Sequence, residues 1–518
     1  MRALLSVYHK DGIVPLAQAC VGADMEVVST GGTYQALVAA GLPVTKVSDL
    51  TQYPEILDGR VKTLHPVIHG GLLADLTNEA HQATLKEQGI EPIGLIAVNL
   101  YPFEETVKRP GVSPAEIIEN IDIGGVALLR AAAKNGEQVA VVSDPKDYAL
   151  VSQELADQGE VSLATRRKLQ AKAFRYTAAY DALIAEVFTE RLQAHEEAED
   201  FPERLTLTYE RQDDLRYGEN PQQRAAVYRE VLHGSEGTPG LKQWHGKALS
   251  YNNWQDVDAA LQLMREFDQT TAIALKHTNP CGVGQGDNIL EAFQACRAAD
   301  PVSIFGGIVI VNEPVTEALA KALNDLFLEI IIAPAYEDEA LTILTQKKNI
   351  RLLETPAMEK AAAEAFTGRF LDGGLLRQDV DLGLYAEKES AVVTKRQPTP
   401  AEREALDFAW RVVKHVKSNA IVLASKTQTL GIGAGQMNRV GALEIAIKEA
   451  QARGFDLSEA VLASDAFFPM PDCLQLAAQV GIKAVIQPGG SIKDAASTEV
   501  ADQYDIAMLH TQQRHFKH

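Results

Sequence analysis

From residue 1 to about residue 145, short apolar runs alternate with stretches whose apolar residues recur at helical spacing, the signature of an open α/β sheet. The runs predict strands at Ala3–Val7, Met25–Ser29, Gly94–Leu100 and Gln138–Val142. The helical stretches predict helices at Val14–Val21, Thr33–Ala40, Pro114–Asn120 and Val126–Lys134. Ligands on such sheets collect beyond the carboxyl ends of the strands. A polar helical pattern follows from about Val161 to His195, longer than an average helix, as a connector or as two helices with a break. The acidic stretch His195–Asp200, closed by Pro202, marks the boundary between a first domain (1–197) and a second region (198–518).

The second region carries the pattern of a diverged duplication, in units of roughly 198–370 and 371–518. A Gly-rich turn at Cys281–Gly286 precedes a helix at Leu290–Ala299 and the apolar SIFGGIVIV. Later, the Gly-rich Gly431–Gln436 precedes a helix at Ala442–Ala450 and the apolar AVLASDAFF. The helix starts are offset by 152 residues but Phe305 and Phe467 by 162, so the registers slip.

Chemistry-bearing residues gather at the turns of this pattern. Ser29-Thr30-Gly31-Gly32-Thr33 lies between a strand and a helix, where glycines and free amides suit an anion or an ordinary turn equally well. In Arg60-Val61-Lys62-Thr63, read as extended, both cations point to one side and with the Thr63 hydroxyl make an oxyanion grip. Asn99 and Tyr101 end an apolar strand, and Asp122 stands at a helix start where an N-cap role is the simplest reading. On one straight helix Asp122 and Lys134 would lie ~18 Å apart. One small site takes both only if the segment bends or another subunit supplies one of them. Further on, Arg216-Tyr217 sits in a turn rich in amides, a mix suited to a ribotide phosphate and a planar ring. Lys276-His277 follows the apolar run Thr271–Leu275; an ammonium beside an imidazole favours the neutral, proton-accepting ring.

Composition narrows the partners. The 518 residues are 46% hydrophobic and 23% charged, with a formal net charge of -21. Such a surface disfavours nucleic acid and anionic membranes, leaving small anions only where local cations override the field. Cys20, Cys281, Cys296 and Cys473 form no CxxC pair, which fits a reducing, cytoplasmic setting. No apolar run approaches the ~18 residues of a membrane span.

Taken together, RVKTLHP, NIDIGG, RYGENPQQ, KHTNPCG, GIGAGQ and SDAFFP, in this order along essentially the whole chain, resemble the bifunctional purine-biosynthesis enzymes. These fuse a formyltransferase to an inosine monophosphate (IMP) cyclohydrolase. The resemblance implies an amino-terminal open sheet like that of methylglyoxal synthase, followed by two α/β units like cytidine deaminase. It implies homodimers with transferase sites built from both subunits. It also implies formyl transfer from 10-formyltetrahydrofolate to the amine of aminoimidazole carboxamide ribotide (AICAR). Closure of the formylated product (FAICAR) to IMP follows. The folate is a co-substrate rather than a tightly bound cofactor; a structural monovalent cation is left open, and no other metal is implied.

Residue by residue, Lys276, His277 and Asn419 match the transferase's catalytic set, with Arg216, Tyr217, Gly306, Glu329, Arg439, Arg514 and Phe516 on the ribotide. Asp472, Gly489, Gly490 and Ser491 match the folate side. Lys62, Tyr101, Asp122 and Lys134 match the cyclohydrolase's catalytic set, and Lys10, Thr30, Gly31, Gly32, Thr33, Arg60, Thr63 and Asn99 its nucleotide contacts. Three positions depart from the family pattern: Tyr8-His9-Lys10 replaces Ser-Asp-Lys, Gly136 replaces His, and Glu329 replaces Asp. A zinc deaminase is the nearest rival, but Gly284 stands where a CxxC would need its second cysteine. The other alternative is a formyltransferase whose amino-terminal domain only senses nucleotides.

Overall fold

The computed structural model describes residues 1–57, 59–192, 201–232, 238–355, 366–385 and 390–518. The acidic stretch His195–Asp200, with the expected domain boundary inside it, lies outside the described residues. The chain divides into two compact units, Met1–Glu210 with Glu230–Leu232, and Arg211–Arg229 with His233–His518.

In the first unit, strands β1 (Arg2–Val7), β2 (Glu26–Ser29), β3 (Val44–Lys46), β4 (Ile93–Asn99) and β5 (Ala140–Val142) make one parallel sheet. Their order is β3-β2-β1-β4-β5, so the winding reverses between β1 and β4. Leu4, Leu5, Ile96 and Ala97 are fully buried. A parallel sheet covered on both faces explains why these strands read as continuous apolar runs. The helices are α1 (Ile13–Gly22), α2 (Gly31–Ala39), α3 (Val47–Thr51), α4 (Pro66–Leu73), α5 (Glu79–Glu87), α6 (Phe103–Val107), α7 (Pro114–Glu119), α8 (Gly124–Lys134), α9 (Tyr148–Gln158) and α10 (Leu163–Val187). Helix α7 starts on a capping box between Ser113 and Glu116 with Pro114 in its first turn. The sequence pattern misses β3, a three-residue edge strand, and the polar α5, which buries only Leu85. The long polar pattern resolves into an unbroken α10 of 25 residues, capped by Ser162 and continued by a π-turn at Phe188–Leu192.

After the hairpin strands β6 (Tyr209–Leu215) and β7 (Ala225–Glu230), the second unit builds two six-stranded sheets. The first has β8 (Lys242–His245), β9 (Thr271–Lys276), β10 (Asn279–Gln285), β11 (Ile308–Val311), β12 (Ile330–Ala333) and β13 (Arg351–Glu354), ordered β10-β9-β11-β12-β13-β8. A hairpin, β14 (Phe366–Leu371) and β15 (Gly374–Asp379), follows; the expected division near residue 370 falls inside it. The second sheet has β16 (Ala391–Val392), β17 (Ile421–Ala424), β18 (Thr429–Gly433), β19 (Val461–Ser464), β20 (Ala484–Gln487) and β21 (Ala507–His510). Its order is β18-β17-β19-β20-β21-β16, strand for strand that of the first.

Helices α11 (Tyr251–Met264) and α15 (Pro400–Val413) share one core with the facing sides of both sheets. On the outer side of the first sheet pack α12 (Ile289–Ala299), α13 (Glu317–Asn324) and α14 (Asp338–Leu344). Helices α16 (Arg439–Ala452), α17 (Asp472–Gln479) and α18 (Asp494–Gln503) do the same on the second.

Two sequence expectations need correction. The Gly-rich stretch expected as a turn is strand, Cys281–Gln285 belonging to β10, and in the second stretch Gly431–Gly433 likewise belongs to a strand, β18. Their glycines serve close packing, because a Cβ on Gly284 would stand 2.3 Å from the Cys296 amide nitrogen and one on Gly433 1.8 Å from the Ala442 carbonyl. Alternate glycines thus let α12 and α16 lie directly on their strands. The apparent register slip also dissolves. Helices start at Ile289 and Arg439 and the next strands at Ile308 and Val461, so the copies stay nearly aligned. Phe305 precedes its strand while Phe467 follows the equivalent one, so the two are not counterparts.

Candidate active sites

In the first unit a cleft of about 510 Å³ opens where β1 and β4 end, at the switch point of the sheet. Three segments meet there. The turn after β1 is tied by Asn99, whose Oδ1 accepts from the Tyr8 and His9 amides and whose Nδ2 donates to the His9 carbonyl at 3.2 Å. The Lys10 ammonium folds back on the Tyr8 carbonyl at 2.9 Å and lies against Gly32. Thr30, Gly31 and Gly32 line the cleft where α2 begins, while the Thr33 hydroxyl is spent on Val7, accepting from its N–H and donating to its carbonyl.

The second segment carries Arg60, Lys62 and Thr63, all lining the cleft. It turns at Ile56–Val61 instead of extending, so the alternation expected there does not apply, yet both cations still reach the cavity. Arg60 pairs with Glu119 at the end of α7, a cleft residue the sequence pattern did not single out.

Asp122 and Tyr101 form the third. The Asp122 Oδ1 accepts from the Gly125 amide at 2.7 Å and Oδ2 from the Tyr101 amide at 3.3 Å. Burial raises its pKa above the ordinary aspartate value, opposed by those amides and by Lys62 nearby. Ile123 is the N-cap of α8, so Asp122 stands one residue before the cap position expected for it; from there it still holds the first-turn amide of Gly125 and faces the cleft. Glycine is required at 125, where a Cβ would come within 2.8 Å of the same carboxylate. Lys134 stands apart: it is exposed at the far end of α8 and absent from the cleft lining. Of the departures, Tyr8 adds an aromatic ring at 6.1 Å edge-on to Tyr101. Gly136 leaves the space that Gln170 fills, a Cβ there meeting its side chain at 2.8 Å.

In the second unit, β9 delivers Lys276 to its end, and His277 and Thr278 form the two-residue turn into β10. Both turn residues have positive φ, 54° and 64°, as a tight hairpin demands but as side-chain-bearing residues seldom supply. The turn is fixed from outside: Thr278 donates its amide to Asp256 at 2.7 Å, and Asn279 accepts from the Lys417 amide at 3.0 Å. The Lys276 ammonium donates to the Phe305 carbonyl at 2.8 Å, beside Gly306. Glu329 accepts from Asn253 at 2.9 Å and faces Arg351 at 3.8 Å, and Arg351 in turn feels Arg216 and Tyr217. Asp256, Asn253 and Arg351 thus join the predicted residues; only their neighbours carried sequence signals. A cavity of about 370 Å³ lies behind the Lys276–His277 turn. It includes Cys281, whose thiol burial pushes up to about 12, far from a thiolate ligand.

The remaining transferase candidates collect at one end of the second sheet. The Ser418–Asn419 peptide is cis. Asn419 donates to the Gln436 carbonyl at 2.8 Å and accepts from Arg439 at 2.8 Å. Arg439 is buried and pairs with the fully buried Asp465, so its guanidinium supports Asn419 and is not an open cation. The Arg514–Phe516 segment is laced down, His515 donating its amide to the Asp465 carbonyl and Ser418 bonding Lys517. There the Arg514 guanidinium stacks over Phe516 at 4.3 Å. Asp472 opens α17, and Gly489–Ser491 follow β20, with the Gly490 and Ser491 amides held by Asp494.

Each unit thus carries its own group of chemistry-bearing residues around a cavity. A family model described as "AICARFT/IMPCHase bienzyme" matches residues 132–449, and one described as "MGS-like domain" matches residues 12–127. The chain belongs to the AICARFT/IMPCHase bienzyme family. It is 55% identical over 519 residues to the bifunctional purine biosynthesis protein PurH of Enterococcus faecalis, covering 100% of this chain and 99% of the relative. Against the protein of the same name from Halalkalibacterium halodurans it is 56% identical over 517 residues, with the same coverage.

Proposed function

We propose that the second unit transfers a formyl group from 10-formyltetrahydrofolate to AICAR and that the first closes the product to IMP. The bifunctional reading is carried by family membership over the full chain, joined to two separate groups of chemistry-bearing residues. In the transferase, the amine of the ribotide is a weak nucleophile, its lone pair delocalised into the ring. His277 takes its proton during attack on the formyl carbon, and Lys276 stabilises charge or protonates the departing folate nitrogen. Asn419 orients the reacting groups. Arg216, Tyr217, Gly306, Glu329, Arg439, Arg514 and Phe516 serve the ribotide, Arg439 by holding Asn419; Asp472 and Gly489–Ser491 serve the folate.

In the cleft, the carboxamide nitrogen attacks the formyl carbon and water leaves. Lys62, Tyr101 and Asp122 supply the charge stabilisation and proton movement, with orientation carrying most of the rate. Arg60, Thr63, Lys10 and the Thr30–Thr33 turn hold the phosphate end. Lys134 enters this reading only from a second subunit. A catalytic cleft is favoured over a nucleotide sensor because Asp122, Lys62 and Tyr101 line one cavity, a set binding alone does not need.

The matching strand orders support two copies of one α/β unit, which we read as cytidine-deaminase-like. Phe305, Met437 and Ile492, 60%, 101% and 104% exposed beside site residues, support a homodimer that covers them. Four unpaired cysteines and the absence of any helix long and apolar enough to cross a membrane, among the described residues, support a cytoplasmic setting. Asp465, fully buried, accepts from Arg439, Ser418 and Ala420.

A coupled assay with AICAR and 10-formyltetrahydrofolate tests the assignment. Lys276→Ala should stop formyl transfer while still closing supplied FAICAR, and Lys62→Ala should accumulate FAICAR. Loss of both activities in either variant, or of neither, refutes the division.

A further inference from the structure

The family match to the MGS-like domain ends at residue 127, but the cleft's backbone is held by a helix that begins at Leu163. Three side chains of α10 end on backbone groups at or beside proposed catalytic residues. Gln170 donates to the Ala133 carbonyl at 2.7 Å, next to Lys134. The Leu100 amide donates to the Tyr176 hydroxyl oxygen at 3.2 Å, immediately before Tyr101. The amide of Asp122 itself donates to the Tyr180 hydroxyl oxygen at 2.8 Å, and that hydroxyl donates onward to the Asn120 carbonyl at 3.3 Å.

Tyr176 and Tyr180 are four residues apart, so they lie one above the other on a single helix face. One rigid element therefore sets the loop after β4 against the loop before α8, the pair that carries Tyr101 and Asp122. Tyr180 is 7% exposed and its ring meets Phe103 edge-on at 6.0 Å, so its hydroxyl has little freedom to wander. Burial pushes this phenol up to about 12, which keeps the proton that bonds Asn120. Neither tyrosine is among the residues lining the cleft.

We propose that Tyr176 and Tyr180 are positioning residues for ring closure, holding the Tyr101 and Asp122 backbone in register with the bound substrate. This rests on the cleft being the cyclohydrolase site. The physical reason is the weak nucleophile: an amide nitrogen reacts only when it is well aimed, and a misplacement of ~1 Å can cost ~10²-fold in rate. The helix thereby adds to an MGS-like sheet the precision that this reaction needs.

The test uses the full-length Tyr176→Phe/Tyr180→Phe protein, which keeps both rings and removes only the hydroxyls. Its kcat for closure of supplied FAICAR should fall roughly 10- to 100-fold with little change in KM, while formyl transfer by the same preparation stays at the wild-type rate. Wild-type kcat for closure overturns the proposal, as does a rise in KM alone or an equal loss of both activities. If the double variant does not fold, Tyr180→Phe alone is read by the same criteria. Lys62→Ala runs alongside: normal closure by that variant refutes the cleft assignment itself. A dead Lys62→Ala beside an unimpaired double tyrosine variant refutes only the positioning role.

Discussion

In the first six-stranded sheet, Lys276 leaves the carboxyl end of β9, while Gly306, Glu329 and Arg351 stand at the amino ends of β11, β12 and β13. In the second, Asn419 precedes β17, the counterpart of β9, and Asp465, Gly489 and Arg514 follow the carboxyl ends of β19, β20 and β21. The strand orders are identical, and the proposed chemistry sits at opposite ends. Strands β10 and β18 explain how these ends meet. They adjoin through Val283 and Thr429, and an antiparallel bridge joins Gly284 to Gln428. Such a junction sets the carboxyl end of β9 beside the segment that leads into β17, as the Asn279–Lys417 hydrogen bond shows. Duplication therefore supplied two similar platforms whose unlike ends build one region. A repeat in fold is not a repeat in function.

The largest effect should come from removing one end's contribution. Asn419→Ala leaves Lys276, His277 and their partners in the first copy untouched, yet formyl transfer should fall ~10²-fold or more if both ends serve one reaction. Closure of supplied FAICAR should be unchanged. Steady-state rates on purified protein decide it; an unaffected formyl transfer would separate the two ends into independent sites.

A smaller effect tests whether the copies share their packing. Gly284→Ala and Gly433→Ala each push a methyl into helix backbone, on α12 and α16 respectively. Overpacking of this kind costs about 1–3 kcal/mol, so each variant should melt several degrees lower, by a similar amount. Calorimetry giving a large loss for one and none for the other would break the equivalence of the two strand–helix contacts.

These examples also mark what the sequence could reveal. Strands with buried, continuous apolar runs, such as Ala3–Val7 and Gly94–Leu100, were legible to within a residue or two because burial on both faces writes itself into composition. The glycines of Cys281–Gly286 read as a turn because a close helix approach and a tight bend ask for the same residue. Motif strings pointed to Lys62, Asp122 and Lys276, and the family resemblance added Asn419. Glu119, Asn253, Asp256 and Tyr180 left no local signal, because each matters through partners far along the chain: Tyr180 meets Asp122 across 58 residues and Asn253 meets Glu329 across 76. Arg439 shows the converse limit: the resemblance sets it among the ribotide contacts, and only burial against Asp465 discloses its supporting role.

The finest test concerns the seam where equivalent positions face each other. Glu266 lies two residues beyond α11 and His415 two beyond α15, so counterparts in the two copies meet, at 2.9 Å, with Lys414 at 2.8 Å from the same carboxylate oxygen. Burial lowers the His415 pKa to about 4, with Glu266 pulling the other way. Burial also works against the Glu266 charge, but His415 and Lys414 together hold its carboxyl below the usual range. The unfolded chain takes up a proton at His415 near pH 6.5, whereas the folded one resists it until about 4. Stability therefore drops as pH falls from 6.5 toward 4, and this contribution levels off below that. By about pH 5.5 the loss should be about 1 kcal/mol. His415→Gln keeps a hydrogen-bonding group at the seam and removes the titration, so its stability should fall less than wild type between about pH 7 and pH 5.5. Denaturant melts at the two pH values measure the difference; equal falls in both proteins would mean that the seam between the copies does not titrate.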